Sequence, residues 1–280
     1  MKKFILFALI AGLTLVVVSC ASSQASPEGA ASEEASASGL VPVETKSSIL
    51  FADGTLDEYV VSEYDDTLSR LKKQERYTAS GALLEQVQYS YNDAGVLSEK
   101  TIKEPTAQIK NKVKYEYNEG KLQREQVFNS ADKPISAYEY GYDAKGNRVS
   151  RAVVVFVSGS EQKMTTTYKY NGKGYLVSSE TKSGSGEKIS ATENQYDNKG
   201  NLVGQKILDA AGKPSAIVKF TWQDGRETAQ EQSGADGSVQ MRITKEYGDE
   251  GELRKQTIKD LQGGSVQIFE YEYQFKPAGR

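Results

Sequence analysis

Apolar and polar residues alternate with a period of two along most of the chain. Residues 113–117 read Val-Lys-Tyr-Glu-Tyr, and residues 269–273 read Phe-Glu-Tyr-Glu-Tyr. Successive side chains of an extended strand point to opposite faces, so this alternation predicts β-strands. One face of the predicted sheet is apolar and rich in tyrosine, and the other is hydrated, as antiparallel sheets allow.

An aromatic residue followed by a turn motif recurs about every 26 residues. The intervals between these aromatic residues, which we call anchors, are 25 to 28 residues. Self-similarity at a fixed period indicates a repeated structural unit. The anchors are Tyr64, Tyr91, Tyr117, Tyr142, Tyr170, Tyr196, Trp222, Tyr247 and Tyr273.

Each motif has the composition of a hairpin turn, in which Asn or Asp opens the turn and Gly takes the left-handed position. Residues 93–95 predict a three-residue loop with a bulge, and residues 119–120 predict a two-residue loop. In both forms the anchor faces the residue that begins the next strand. The predicted pairs are Tyr91–Leu97, Tyr117–Leu122, Tyr170–Leu176, Tyr196–Leu202 and Tyr247–Leu253, with two polar exceptions, Tyr142–Arg148 and Trp222–Glu227.

A second turn lies midway in most repeats, as at 80–81 and 209–212, so each repeat supplies two strands. We therefore predict an all-β fold, an antiparallel meander of about 16–17 strands built from the hairpin repeats. Such a sheet either lies flat or curls around its tyrosine face. Because long open sheets tend to coil, we expect a twisted, curled, extended sheet.

Two segments of the predicted sheet have alternative interpretations. Residues 153–157 are apolar on both faces, which indicates a central strand or an exposed binding patch. The terminal strands at 49–51 and 269–275 would leave sheet edges that could accept a strand from a partner.

The N-terminus has the pattern of an export signal. Lys2 and Lys3 precede an uncharged run, Phe4 to Val18, that is too short to cross a bilayer. The following residues, 17–21, read Val-Val-Ser-Cys-Ala and resemble the lipobox of bacterial lipoproteins. The resemblance implies cleavage after Ser19 and attachment of lipid to Cys20.

These features divide the chain into three predicted parts. Residues 1–19 are a signal peptide, and residues 20–46 are the lipidated cysteine with a flexible tether rich in Ser, Ala and Glu. Residues 47–280 are the β-repeat domain. The expected location is the cell envelope, with the protein anchored to the inner or outer membrane and its body outside the cytoplasm.

Composition excludes several kinds of chemistry. The chain has no histidine and one cysteine, which rules out histidine-based catalytic triads, His-containing zinc sites and internal disulfides. The net charge of −3 becomes −5 once Lys2 and Lys3 are removed (−3 − 2), which does not favour nucleic-acid binding. We predict no cofactor, no metal site and no nucleic-acid partner.

The repeat is similar to the YD, or Rhs-type, family. Residues 200–202, 209–212 and 220–222 follow the order of that motif: Gly-x-Leu, a Gly turn, then aromatic residues. The resemblance covers about 64 to 273 and implies a continuous β ribbon. In large toxins such ribbons form a shell around cargo. Here the period is longer and the strands are too few for that role.

The sequence favours a non-enzymatic binding or interaction scaffold, such as a surface adhesin or envelope protein, with a protein or glycan ligand. The alternatives are a structural envelope lipoprotein without a ligand and a glycan-active enzyme that uses carboxylates. Acidic residues recur at turns, as at Asp143, Asp197 and Asp249, where turn chemistry already accounts for them. The candidate binding-face aromatics are Tyr115, Tyr117, Tyr140, Tyr142, Tyr168, Tyr170 and Trp222.

Overall fold

A computed structural model describes residues 39–157 and 159–278. These residues form β-strands joined by short turns, without a helix. The strands are β1 (Leu40–Leu50), β2 (Leu56–Tyr64), β3 (Leu71–Thr78), β4 (Leu83–Tyr91), β5 (Leu97–Lys103), β6 (Ile109–Asn118), β7 (Lys121–Asn129), β8 (Pro134–Tyr142), β9 (Arg148–Val157), β10 (Ser160–Tyr170), β11 (Leu176–Ser183), β12 (Lys188–Tyr196), β13 (Leu202–Leu208), β14 (Pro214–Gln223), β15 (Arg226–Gly234), β16 (Val239–Tyr247), β17 (Leu253–Asp260) and β18 (Val266–Pro277).

Each strand pairs antiparallel with the next, and β1 also pairs with β18, so the 18 strands close into a barrel. The predicted all-β meander is confirmed. The predicted curling is also confirmed, and it continues until the first and last strands meet. The pairing of Ile49 with Phe269 marks this closing seam.

Closure corrects two expectations. The terminal strands are not open edges, because 49–50 and 268–269 pair with each other along the seam. The predicted tether is also too long at its C-terminal end, because residues 40–46 belong to β1 and pair with β18 or β2. Residues 1–38, with Cys20 and the rest of the predicted signal and tether, lie outside the described residues.

The register confirms all seven of the anchor pairs predicted from the turns. It also contains a one-residue bulge beside each anchor. For example, Ser90 pairs with Glu99 and Tyr91 pairs with Leu97, so Ser98 is the extra residue. Bulges increase the local twist and bend a strand. Their repetition at the ends of the strands gives the sheet the curvature that closes it.

The turns have the predicted chemistry. The backbone N–H of Asn92 donates to the carbonyl of Val96 at 2.9 Å, and the Asn92 side chain accepts from the Val96 N–H at 3.0 Å. Gly95 has a φ of +76°, which a residue with a side chain rarely adopts. In the two-residue loop, Glu119 and Gly120 both have positive φ, at 51° and 75°. This is the type I′ geometry that suits tight hairpins.

The valine-rich segment is an interior part of the barrel wall. Strand β9 pairs with β8 on one side and β10 on the other. Val154 is 3% exposed, whereas Val157 at the strand end is 44% exposed. The central-strand interpretation is therefore confirmed.

The face that carries the anchors is the concave one. Ion pairs on this face are half-buried: Arg76 and Glu58 are each 24% exposed. On the opposite face, Lys46 and Glu272 are 37% and 64% exposed. Because side chains converge on the inside of a closed sheet, the tyrosine face lines the lumen and the charged face forms the outer wall.

No large side chain among the described residues is fully buried. In the described barrel each strand contacts only the strands beside it in the ring, and no strand contacts one across the lumen. Barrels of about 16–18 strands are wide enough to hold a water-filled channel. The wall is thus a single layer around a hollow space.

Glu44 lies on the lumen side of the closing seam. It pairs in register with Tyr273, beside a bulge at Thr45. Burial raises the pKa of Glu44 from 4.5 to about 7, and a hydrogen bond with Ser47 only partly opposes this effect. Burial also raises the pKa of the neighbouring Tyr271 to about 12. The seam therefore holds a carboxyl group that is most stable there when it is protonated.

We predict that the seam weakens as Glu44 ionises. A folded-state pKa above the unfolded value means that the stabilisation is complete below about pH 4.5 and is lost as the pH rises through about 7. Glu44→Gln should therefore raise the free energy of unfolding at pH 8 by on the order of 1–3 kcal/mol, with little effect at pH 5. Urea unfolding at both pH values measures this difference.

Glu272→Gln is the matched control, because Glu272 is 64% exposed on the outer wall. This variant should keep the wild-type loss of stability between pH 5 and pH 8. If Glu44→Gln keeps the same loss, Glu44 does not control the seam.

Candidate functional site in the barrel lumen

The nine anchors lie at one end of the barrel. Each anchor is in the last part of an even-numbered strand, from Tyr64 in β2 to Tyr273 in β18. Because adjacent strands run in opposite directions, the ends of the even-numbered strands and the starts of the odd-numbered strands share one rim. We call this end the anchor rim.

At the anchor rim, aromatic side chains donate hydrogen bonds to backbone carbonyls of the neighbouring strand. The Tyr247 hydroxyl donates to the carbonyl of Glu227 at 2.7 Å, and the Tyr273 hydroxyl donates to that of Leu253 at 2.8 Å. We call these bonds rim clamps. The others are Tyr91 to Leu71, Tyr142 to Leu122, Tyr170 to Arg148, Tyr196 to Leu176 and Trp222 to Leu202.

The rim clamps lie where the backbone ladder ends. Strands β15 and β16 pair only as far as Ala229 and Thr244, so the carbonyl of Glu227 lies beyond the last backbone pair. The Tyr247 hydroxyl supplies the missing donor. Trp222 does the same with its indole N–H, at 2.8 Å from the carbonyl of Leu202. A Phe could fill this space but could not donate, which explains why the anchors are Tyr or Trp.

Tyr117 is an exception among the anchors. The residue is 37% exposed, and its hydroxyl has no hydrogen-bond partner among the described residues. It faces the lumen in register with Leu122. Tyr117 therefore presents both a ring face and an unused hydroxyl to the interior.

Deeper in the lumen, tyrosines surround a carboxylate on β7. The Tyr140 hydroxyl donates to Glu125 at 2.6 Å, and Tyr115 and Tyr138 pair with Glu125 in register. Burial, followed by the nearby Glu125 charge, raises the pKa of both Tyr115 and Tyr140. These phenols stay protonated and act as hydrogen-bonding groups.

Several cations lie over the aromatic rings of the lumen. The Lys100 ammonium is 5.3 Å from the ring centre of Tyr89 and 5.6 Å from that of Tyr115. On β9, the Arg151 guanidinium is 4.7 Å from the ring centre of Tyr138. Arg148 also lies over aromatic rings. Cation–π contacts of this kind orient a cation without neutralising it.

The lumen side of β10 to β14 carries no charged residue, and we call it the neutral sector. Its hydroxyl and amide groups pair across the strands. The bonds are Thr166 with Thr181 at 2.8 Å, Ser179 with Thr192 at 2.7 Å and Gln205 to Asn194 at 2.9 Å. Together with the anchors above it, this sector combines aromatic faces with uncharged hydrogen-bonding groups.

The seven aromatic residues predicted for the binding face all lie on the lumen side. Their roles differ. Tyr142, Tyr170 and Trp222 form rim clamps, and Tyr140 binds Glu125. Tyr117 is left with an unused hydroxyl.

The turn carboxylates stay at separate turns. Asp143 and Asp197 accept hydrogen bonds from backbone N–H groups within their own loops. The hydrogen bond from the Asn147 side chain lowers the pKa of Asp143. Asp249 lies in the turn between β16 and β17. The barrel does not bring these three groups together.

Sequence reasoning missed the lumen cations. The signal was present at Arg148, which occupies a position that holds Leu in six other repeats. The exception was visible as a polar pair, but its direction into the lumen depends on the bulge. Lys100 and Arg151 gave no comparable signal, because strands commonly carry charged residues.

Among residues 39–157 and 159–278, no group of Cys, Asp and Glu side chains is arranged to hold a metal ion. A recess of about 340 Å³ is lined by residues of β12, β13 and β14, including Gly204. Within the described part of the chain, no helix is long and apolar enough to span a membrane.

Comparisons with known proteins find similarity only among solved structures. No protein-family profile and no curated protein matches the chain. A porin-like protein from Bacteroides uniformis is 13% identical, with a TM-score of 0.45. The match covers 82% of this chain and 96% of the other protein. A porin-like protein from Bacteroides vulgatus is also 13% identical, with a TM-score of 0.38. That match covers 84% of this chain and 99% of the other protein.

The TcdB2-TccC3 structure, without its hypervariable C-terminal region, is 12% identical with a TM-score of 0.32. The match covers 80% of this chain but only 16% of that chain. Similarities at this level assign no activity to this chain.

We predict that the rim clamps stabilise the barrel through their polar atoms. Tyr247→Phe removes the hydroxyl bonded to the carbonyl of Glu227 and leaves the ring in place. The free energy of unfolding should fall by about 1 kcal/mol, the typical net value of one such bond. Urea unfolding measures this change.

Tyr117→Phe is the control, since the Tyr117 hydroxyl has no partner among the described residues. Its effect should stay below about 0.5 kcal/mol. Equal losses in the two variants would show that the rim depends on the rings and not on the clamps.

Proposed function

We propose that this chain is an exported bacterial lipoprotein whose barrel is a non-enzymatic binding scaffold. The lipid is attached to Cys20, and residues 20–39 connect it to β1. The ligand is held in the lumen, against the tyrosine face. The observation that carries this proposal is the hollow barrel, whose inner wall is lined by aromatic and hydrogen-bonding groups.

The packing of the lumen supports binding more than a purely structural role. A protein that needs only a stable body fills its interior at high density, because empty space forfeits contacts. Here no large described side chain is fully buried, and Tyr117 keeps an exposed ring and an unused hydroxyl on the lumen side. Rings with a polar end are common at binding surfaces.

The outer wall supports a body that lies in water beside the membrane. Ion pairs are distributed around it, including Glu139–Lys163 at 2.8 Å and Glu231–Arg242 at 2.7 Å. A charged residue that faces lipid near the bilayer midplane costs about 2–4 kcal/mol. In this proposal the membrane contact is made by the lipid on Cys20.

The absence of an obvious catalytic pair supports a binding role over hydrolysis. Asp143 and Asp197 hold their own turns, and Glu125 is already bonded to Tyr140. Glycoside hydrolysis needs two carboxyl groups that flank one bond. The described carboxylates that face the lumen are spread over separate strands.

We predict that Cys20→Ser abolishes lipid attachment, because serine lacks the sulfur that carries the lipid. Growth of expressing bacteria with a labelled fatty acid should label the wild-type protein and not the variant. The variant should also move from the membrane fraction to the soluble fraction. Ala21→Ser, next to the modified residue, is the control and should keep the label; labelling of Cys20→Ser would contradict lipid attachment.

We also predict that ligand binding depends on the aromatic rings of the lumen. The full chain, in a neutral detergent, is applied to an array of soluble oligosaccharides and to a library of unmodified peptides. A retained probe should bind at least tenfold more weakly to Tyr117→Ser, which removes an exposed lumen ring. Tyr77→Ser is the control, because Tyr77 stacks with Tyr59 at 5.1 Å on the outer wall.

Retention of no probe by the wild-type protein would count against a binding role and favour a structural envelope protein. Equal weakening by Tyr77→Ser would place the ligand outside the lumen. Either result would leave the lipid anchor unaffected.

A further inference from the structure

Arg148 interrupts the repeat pattern at the anchor rim. The residue opposite each anchor is Leu in most repeats, but Tyr142 faces Arg148. Two other anchors also face a charged residue: Tyr273 faces Glu44, and Trp222 faces Glu227, which forms an ion pair with Lys245 at 2.6 Å. Arg148 forms no ion pair among the described residues. Arg148 is therefore a cation opposite an anchor that no described carboxylate balances.

A bulge places a second arginine beside the first. Residues three apart in a regular strand point to opposite faces. In β9, Gly141 pairs with Ser150 and Tyr142 with Arg148, so Val149 is an extra residue. The extra residue brings Arg148 onto the same face as Arg151, which pairs with Tyr140. Both guanidinium groups therefore face the lumen.

Tyrosine rings hold the two guanidinium groups in place. Arg148 is 5.4 Å from the ring centre of Tyr140 and 5.9 Å from that of Tyr168, which places it between two rings. Arg151 is 4.7 Å from the ring centre of Tyr138. Stacked guanidinium groups are fixed in orientation while their N–H donors remain at the edge.

The donors of this pair are not fully used. The Arg148 Nε atom is buried and has no hydrogen-bond partner in the described barrel. Like Arg148, Arg151 forms no ion pair with a described carboxylate. Glu125, which lies on the same face two strands away, accepts the Tyr140 hydroxyl. A buried donor without an acceptor is unfavourable, and a bound anion would supply the acceptor.

We propose that Arg148 and Arg151 bind a tetrahedral oxyanion, a phosphate or sulfate group, carried by the lumen ligand. This inference rests on the proposed binding function and names the chemistry of its ligand. Two guanidinium groups match the charge and the several acceptor oxygens of such a group, and arginine binds it with paired donors.

The surroundings define the rest of the ligand. Arg151 pairs in register with Thr166, whose hydroxyl is bonded to Thr181 at 2.8 Å at the start of the neutral sector. A ligand with its oxyanion on β9 would therefore extend over uncharged hydroxyl and amide groups. This arrangement fits a phosphorylated or sulfated saccharide whose remainder is neutral and rich in hydroxyl groups.

Calorimetric titration of the full chain in a neutral detergent tests the inference. The probes are glucose 6-phosphate, inorganic phosphate, inorganic sulfate and glucose. We expect glucose 6-phosphate to bind with a Kd of about 1 mM or tighter, and glucose to bind at least tenfold more weakly. Stronger binding of glucose 6-phosphate than of inorganic phosphate would assign the sugar part to the site, and equal binding would assign the free ion.

The variants use residues that other repeats hold at the same positions. Arg148→Leu introduces the residue that faces the anchor in other repeats, as Leu97 and Leu176 do. Arg151→Gln introduces the residue that Gln205 supplies at the equivalent position of its repeat. Each should weaken phosphate binding at least tenfold. Arg242→Gln, which removes an equal charge from the outer wall, should leave binding within twofold.

Two results would overturn the inference: wild-type protein that binds none of the anions at tens of millimolar, or Arg148→Leu and Arg151→Gln that both bind as well as wild type. Far-UV circular dichroism confirms that each variant keeps its strands. If neutral array probes bind through Tyr117 while the anions do not bind, the oxyanion site fails and the binding scaffold stands. If neither array probes nor anions bind, both proposals fail.

Discussion

The hydrogen bond from an anchor side chain to a carbonyl of the adjacent strand is the interaction on which the barrel wall depends. The backbone hydrogen bonds between an odd-numbered strand and the even-numbered strand after it end before the anchor rim. In β15 and β16 the last pair is Ala229 with Thr244. Without a further donor, the strands would separate there and leave carbonyls without partners. The anchor reaches across at 2.7–2.9 Å in seven of the repeats. This need for a donor explains why Tyr or Trp, and not Phe, occupies each anchor position.

The bulge beside each anchor links the shape of the wall to its chemistry. The same extra residue that bends the strand also decides which side chains face inward. In most repeats the bulge has a modest effect on the chemistry of the lumen, because the residue opposite the anchor is Leu. In β9 it places Arg148 and Arg151 side by side on the concave face. The bulge that recurs beside each anchor thus produces one local exception, a pair of neighbouring arginine side chains in the lumen.

The sequence predicted the strands, the turns and the anchor pairs because these depend on local rules. Alternation fixed the faces, and the loop lengths fixed the pairing of Tyr91 with Leu97 and of Tyr117 with Leu122. Closure was not predictable in the same way, because Ile49 and Phe269 are brought together by curvature summed over the whole sheet. The binding-face aromatics were recognised, but the lumen cations were not, because only the register shows that Arg148 shares a face with Arg151.

The closing seam differs from every other seam in the distance along the chain that it bridges. Other strands pair with a neighbour one hairpin away, whereas Lys46 and Glu272 are separated by 226 positions. The hairpins can therefore form in succession as the chain emerges, but the ring is completed only when β18 is available. Bringing such distant segments together carries the largest loop-closure entropy in the barrel. Shortening the chain by one strand at either end would leave two long unpaired edges, which are sites of aggregation.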